Sequence, residues 1–184
     1  MIETRRDLSD YIQADRKAQG MQHPLLAKLT FGENALIRKY MTNLRMAEYW
    51  KSNSKKWYGK IMYAYYLLRH RRMCLKYGMY IGLNAVGKGF FIVHPGFVRI
   101  DSWVHIGENC TVLPMVLFGR AHPIDGTEIF VGDNCYVGTG ATILGPIRIG
   151  NNVTIAAGAV VTKDVPDNVV VAGVPAKVVK YKAE

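Results

Sequence analysis

The chain has 184 residues, 49% of them apolar and 21% charged, with a formal net charge of +10. That composition excludes a disordered chain and bounds the fold to one domain, or one domain with a smaller appendage. No apolar run reaches the ~18 residues of a membrane span, the N-terminus lacks the apolar core of a signal peptide, and the three cysteines lack the paired spacing of a zinc ribbon or disulfide framework. A soluble cytoplasmic protein is expected.

The charge is uneven. Residues 1–80 hold 16 Lys/Arg against 6 Asp/Glu, whereas the remainder holds 8 of each, so a basic unit precedes a neutral one. The basic unit, 1–78, reads as three helices: "RRDLSDYIQADRKAQG" ending at Gly20, "ENALIRKYMTNLRMAEYWKS", and "SKKWYGKIMYAYYLLRHRRMCLKYG" ending at Gly78. Gly just past the last periodic residue suits a helix C-cap. The third helix sets Trp57, Tyr58, Tyr63, Tyr65 and Tyr66 among Lys55, Lys56, Lys60, Arg69, Arg71 and Arg72. Three readings stay open: an aromatic face packed on the rest of the fold, attraction to an anionic membrane surface or phosphate-bearing substrate, and nucleic-acid binding. No base-reading motif accompanies the patch, so nucleic acid is not expected. His23 and His70 receive no role.

From residue 94 the pattern changes to a period of six. Positions 100, 106, 112 and 118 hold Ile, Ile, Val and Phe; positions 131, 137, 143, 149, 155 and 161 hold Val, Val, Ile, Ile, Ile and Val. Four residues after each, with a break after Phe118, comes a second apolar or small residue, among them Val104, Cys110, Cys135, Ala141, Val153 and Ala159. Six fits neither an amphipathic helix nor an alternating strand. It fits short strands and tight turns coiled into triangular rungs of three hexapeptides, with glycines and "DN"/"NN" pairs at the turns. Cys110 and Cys135 then pack inward and are not nucleophiles. Two interruptions stand out. The step from Phe118 to Val131 is 13, so residues 119–130, with "RAHPIDG", form an extruded loop of the kind that carries function. Position 94 lies in phase with the apolar slots but holds His.

Residues 81–180 thus resemble the hexapeptide-repeat acyltransferases, whose fold is a left-handed parallel β-helix. The expected class is mainly β, with a helical N-terminal domain (1–78) and a β-helical domain (79–184). The resemblance is to serine O-acetyltransferases and their relatives in polysaccharide gene clusters over "GKGFFIVHPG", "IGENCTVLPMVLFG", "HPIDGTEIFVGDNCYVGTGATILGPIRIG" and "AAGAVVTKDVPDNVVVAGVPAKVV". It implies acetyl transfer from acetyl-CoA to a hydroxyl by a homotrimer, with no metal. A zinc β-helix enzyme would need three converging His ligands, and only His94, His105 and His122 are available, without the usual close pair; His105, on an ordinary rung, reads as a surface residue. His suits the base that such an alcohol requires. On the resemblance, His94 takes that role and His122 joins it at the acceptor, with the reverse order open. Matching donor positions are Thr139, Ala157, Thr162, Lys163 and Lys180, and Lys177 joins the lysines that could meet phosphates. Two acidic positions of the serine enzymes hold Val93 and Met79 here, and the Arg that would clamp an amino-acid carboxylate is Ala121. Asp101 or a backbone carbonyl is left to orient His94. These departures point to a neutral saccharide acceptor, or its precursor, and the basic N-terminal helices to peripheral contact with a membrane; serine is the alternative acceptor.

Overall fold

The structure is a computed structural model and describes residues 1–20, 32–120 and 128–183. Among the described residues, three helices open the chain: α1 (Arg5–Ala18), α2 (Glu33–Ser52) and α3 (Trp57–Tyr77). Thr4 caps α1 in a reciprocal box with Asp7, and Gly78 closes α3 at φ 68°, a left-handed turn that glycine enters without a Cβ penalty.

The rest is a left-handed parallel β-helix with three faces. The first stacks β1 (Met79–Ile81), β3 (Val98–Ile100), β6 (Val116–Arg120), β9 (Thr142–Gly145) and β12 (Val160–Val161). The second stacks β4 (Val104–Ile106), β7 (Ile129–Val131) and β10 (Ile147–Ile149). The third holds β2 (Phe91–Ile92), β5 (Thr111–Val112), β8 (Tyr136–Val137), β11 (Thr154–Ile155) and β13 (Val169–Gly173). β14 (Ala176–Tyr181) turns back antiparallel on β13 and finishes that face.

The six-residue period is the cause of this shape. Every slot residue from Ile100 to Val161 is buried, as are the partners four positions on, Cys110 and Cys135 included. Each such Val or Ile contributes about 1.5–3 kcal/mol by leaving water. One column of turns is built on Asn109, Asn134, Asn152 and Asn168, all at positive φ, where Asn is tolerated. Side chains stitch the coils there: Asp133 accepts from the Glu108 N–H at 2.7 Å, and Asp167 from that of Asn151 at 2.7 Å. The Gly after a slot has a steric reason, since a Cβ on Gly132 would stand 2.8 Å from the Asn151 nitrogen of the next coil.

Ile37, Tyr40, Met41 and Leu44 of α2 join the interior of the β-helix in one shared core. β6 continues to Arg120 and β7 begins at Ile129. The helices plug the open first coil with polar side chains. Tyr40 donates to the Met79 carbonyl and accepts from the Ile81 N–H, each at 3.1 Å. Arg45, fully buried, donates to Asp15 at 2.8 Å, Glu48 at 3.1 Å, and the Val86 and Gly87 carbonyls at 2.9 and 2.6 Å. Glu48 and Asp15 in turn accept from the Asn84 and Phe90 N–H groups. Arg45→Met would leave two buried carboxylates without their cation, and a loss of about 3–5 kcal/mol in urea unfolding is expected.

His70 is also buried, and its Nε2–H donates to the Ile81 carbonyl at 2.9 Å. Burial lowers its pKa below the ordinary value. Below about pH 6.5 the unfolded chain therefore takes up a proton that the folded chain resists. Stability should fall as pH drops from 6.5. In His70→Gln, which keeps a donor, thermal unfolding between pH 5 and about 6.5 should show a flatter acid slope.

Candidate active site

His94 lies in the corner between β2 and β3. Strand register makes Ile92 the equivalent of Val112, Val137 and Ile155. From Val112 to Phe118, from Val137 to Ile143 and from Ile155 to Val161 is six residues; from Ile92 to Ile100 it is eight. The first corner thus carries two extra residues, and Ile92, not His94, fills the inner slot. The expectation that His94 sits in phase is corrected for that reason. Its side chain is 61% exposed, on the outer edge of the prism.

The carboxylate beside it comes from the helices. Glu33, which opens α2, sets Oε2 2.9 Å from His94 Nδ1. A carboxylate oxygen accepts, so Nδ1 carries the hydrogen, and in the neutral ring the lone pair then sits on Nε2, away from Glu33. Glu33 stands on the first turn of α2, where the helix dipole favours an anion. Asp101, expected beside His94, is engaged with Arg99 instead: Nε and Nη2 of Arg99 donate to its two oxygens at 3.1 Å each. Met79, in one acidic position of the serine enzymes, is fully buried in the core.

Below His94 the same edge runs down the prism through corners of small residues. Phe97 O accepts from the Met115 N–H at 2.6 Å, Pro114 O from the Gly140 N–H at 3.1 Å, and Thr139 O from the Gly158 N–H at 2.8 Å. Thr139 therefore shares the His94 edge, and its hydroxyl donates to Pro114 O at 2.7 Å. Ala157 shares it too: a Cβ on Gly138 would stand 2.6 Å from the Ala157 nitrogen. Three coil steps of about 4.8 Å separate the His94 corner from Ala157, roughly 14 Å of shallow edge along which an extended chain fits. Gly140 and Gly158 hold the left-handed turns of this column, yet Met115 takes one at φ 65° with its side chain exposed. For a non-glycine residue that conformation costs about 1–2 kcal/mol. The sequence reading missed both Met115 and Glu33.

The other expected residues are not on this edge. Asp101, Thr162 and Lys163 lie on the corner between the first and second faces, where β6 ends at Arg120 and Glu128 precedes β7. Lys177 and Lys180 are exposed on β14, opposite Ala172 and Val170. His122 and Ala121, like His23, lie outside the described residues. His105 is a surface residue, stacked on Phe130 with ring centroids 5.0 Å apart. Among the described residues, no three His, Cys, Asp or Glu side chains group as metal ligands.

The coil of hexapeptides in this left-handed β-helix resembles that of a known transferase family. Residues 128–163 match that family, the bacterial transferase hexapeptide with six repeats. Over 102 residues the chain is 39% identical to a serine acetyltransferase of Bacillus pumilus, covering 52% of this chain and 44% of that protein. Over 81 residues it is 41% identical to a 2,3,4,5-tetrahydropyridine-2,6-dicarboxylate N-acetyltransferase of Staphylococcus aureus, covering 44% of this chain and 32% of that protein. These matches span less than half the length of either relative. The serine acetyltransferase of Brucella abortus in complex with coenzyme A superposes with a TM-score of 0.73 at 25% identity, over 97% of this chain and 70% of that one.

The Glu33 contact fixes a tautomer that can be read directly. Nitrogen-detected NMR of His94 should show hydrogen on Nδ1, and Glu33→Ala should move it to Nε2, the form that free imidazole prefers. An unchanged tautomer would mean that another group holds the ring.

Proposed function

We propose that the chain transfers the acetyl group of acetyl-CoA to a hydroxyl of a small acceptor. The observation that carries this is His94, its Nδ1 tied to Glu33 and its Nε2 free at the head of the edge. In this reading Nε2 takes the acceptor's hydroxyl proton as the oxygen attacks the thioester carbon. The tetrahedral oxyanion collapses, the C–S bond breaks, and the proton returns from Nε2 to the departing thiolate of CoA. The coenzyme A complex of the Brucella abortus enzyme, whose fold this chain shares, supports the donor. Thr139 and Ala157 would border the pantetheine arm, while Thr162, Lys163, Lys177 and Lys180 would serve the donor from other parts of the surface, the lysines at its phosphates.

Serine is the first acceptor to test, because relatives in both sequence and fold are serine acetyltransferases. Glu33 also supplies the orienting carboxylate whose absence had pointed elsewhere. One observation keeps a saccharide acceptor as the second reading: residue 121 is Ala, so no cation stands there to pair an amino-acid carboxylate.

The root of the 121–127 segment and His94 lie on different edges of one chain. A homotrimer, in which the loop of one protomer brings His122 to the His94 edge of its neighbour, would complete the site. In this reading Asp101 and Ala121 face the acceptor from that loop-bearing edge.

Thiol release from acetyl-CoA should be measured with serine, simple sugars, nucleotide sugars and oligosaccharides. His94→Ala should lower the rate by about 10²–10⁴-fold. Glu33→Ala should lower kcat and leave KM for acetyl-CoA unchanged. A His94→Ala protein at full rate would overturn the assignment.

A further inference from the structure

Helix α3 has two apolar faces. One is packed: Gly59, His70, Met73 and Cys74 are buried against α2 and β1. The other has no cover. Trp57, Ile61, Tyr65, Leu68 and Leu75 are exposed, Trp57 at 75% and Leu75 at 88%. At 3.6 residues per turn these five fall within an arc of about 80°, opposite the packed side. They form one continuous stripe along the helix, not scattered surface residues.

Charge flanks the stripe on both sides. Lys60 and Arg71 project along one border, Arg69 and Lys76 along the other, and Arg72 lies within it. Residues 49–78 hold eight Lys or Arg, and no Asp or Glu occurs anywhere from 49 to 100. No helix among the described residues is long and apolar enough to cross a membrane.

We propose that α3 docks in the plane of an anionic lipid bilayer. The occupant must offer a hydrocarbon layer for Trp57, Ile61, Leu68 and Leu75, with a negative surface at the height of the flanking cations. An anionic bilayer offers both. Lys and Arg reach outward from the border to the headgroups, while Trp and Tyr prefer the interfacial depth. Each Lys or Arg near such a surface adds about 1 kcal/mol. A second copy of the same face fits less well, because it would set Lys60 and Arg71 against cations of its own kind.

The test is co-sedimentation of the full chain, without acetyl-CoA, with vesicles of phosphatidylcholine alone or mixed with phosphatidylglycerol. Binding is expected to the mixed vesicles only, and it should weaken with added salt. Trp57→Ser/Ile61→Ser/Leu68→Ser should lower the affinity by about tenfold or more. Lys60→Glu/Arg71→Glu, which leaves the stripe intact, should also abolish the preference for phosphatidylglycerol. Both variants alter exposed side chains and should keep the thermal unfolding midpoint of the parent. The proposal falls if the parent chain ignores both vesicle types, or if the charge variant binds like the parent. It falls equally if light scattering shows the triple variant losing protomers, since the stripe would then be covered by a second copy.

Discussion

A parallel coil has an end, and its last rung exposes backbone groups that no further strand pairs. Here that end is the first coil, and seven of its backbone groups are met by side chains from the helices. Tyr40 serves Met79 O and Ile81 N, His70 serves Ile81 O, and Glu48 serves Asn84 N. Arg45 serves Val86 O and Gly87 O, and Asp15 serves Phe90 N. Each would cost about 1–3 kcal/mol if buried without a partner. An apolar plug of the same shape would leave them all unpaired. The polar cluster is therefore what lets the β-helix begin where it does, and its charges are tolerable because Arg45 pairs both carboxylates. The other end is managed differently: β14 folds back antiparallel on β13.

The same plug builds the candidate site. Ile37, Tyr40, Met41 and Leu44 anchor α2 in the shared core, so the start of the helix has little freedom. That start is Glu33, and it meets His94 across 61 positions of sequence. Stability and chemistry are thus joined through one helix. The residues that satisfy the first coil also hold the carboxylate that orients the imidazole. A loosened cap would cost the site its geometry before the coil itself unravelled.

Much of the fold was legible because a prism interior is a repeating constraint. Each slot has the same volume, so the same residue types return every six positions, and Cys110 and Cys135 are read correctly as filling. The helices were legible from periodicity and closing glycines. What escaped lay where repetition breaks. The in-phase reading of His94 assumed an even step, but the first corner has two extra residues, and no regular count reveals an insertion at the start of a series. Glu33 was invisible because its partner is distant in sequence, although it is the single acidic residue between Asp15 and Glu48. Arg45 read as one more charge of a basic segment, yet it is fully buried.

The edge below His94 shows how a repeat can carry a site without losing its regularity. Where every corner must turn tightly, Gly or Asn is the low-strain solution, and the Asn column takes it at four successive turns. On the His94 edge Gly140 and Gly158 do the same, but Met115 does not. A long apolar side chain is held there in a conformation that glycine would adopt more readily, directly beneath the corner whose carbonyl it engages. Strain of that kind persists when the surrounding structure enforces it and tends to gather at functional positions. The rung-to-rung hydrogen bonds enforce it here, through Phe97 above and Gly140 and Thr139 below. Met115 accordingly stands as a wall of the edge between the imidazole and the small residues further down.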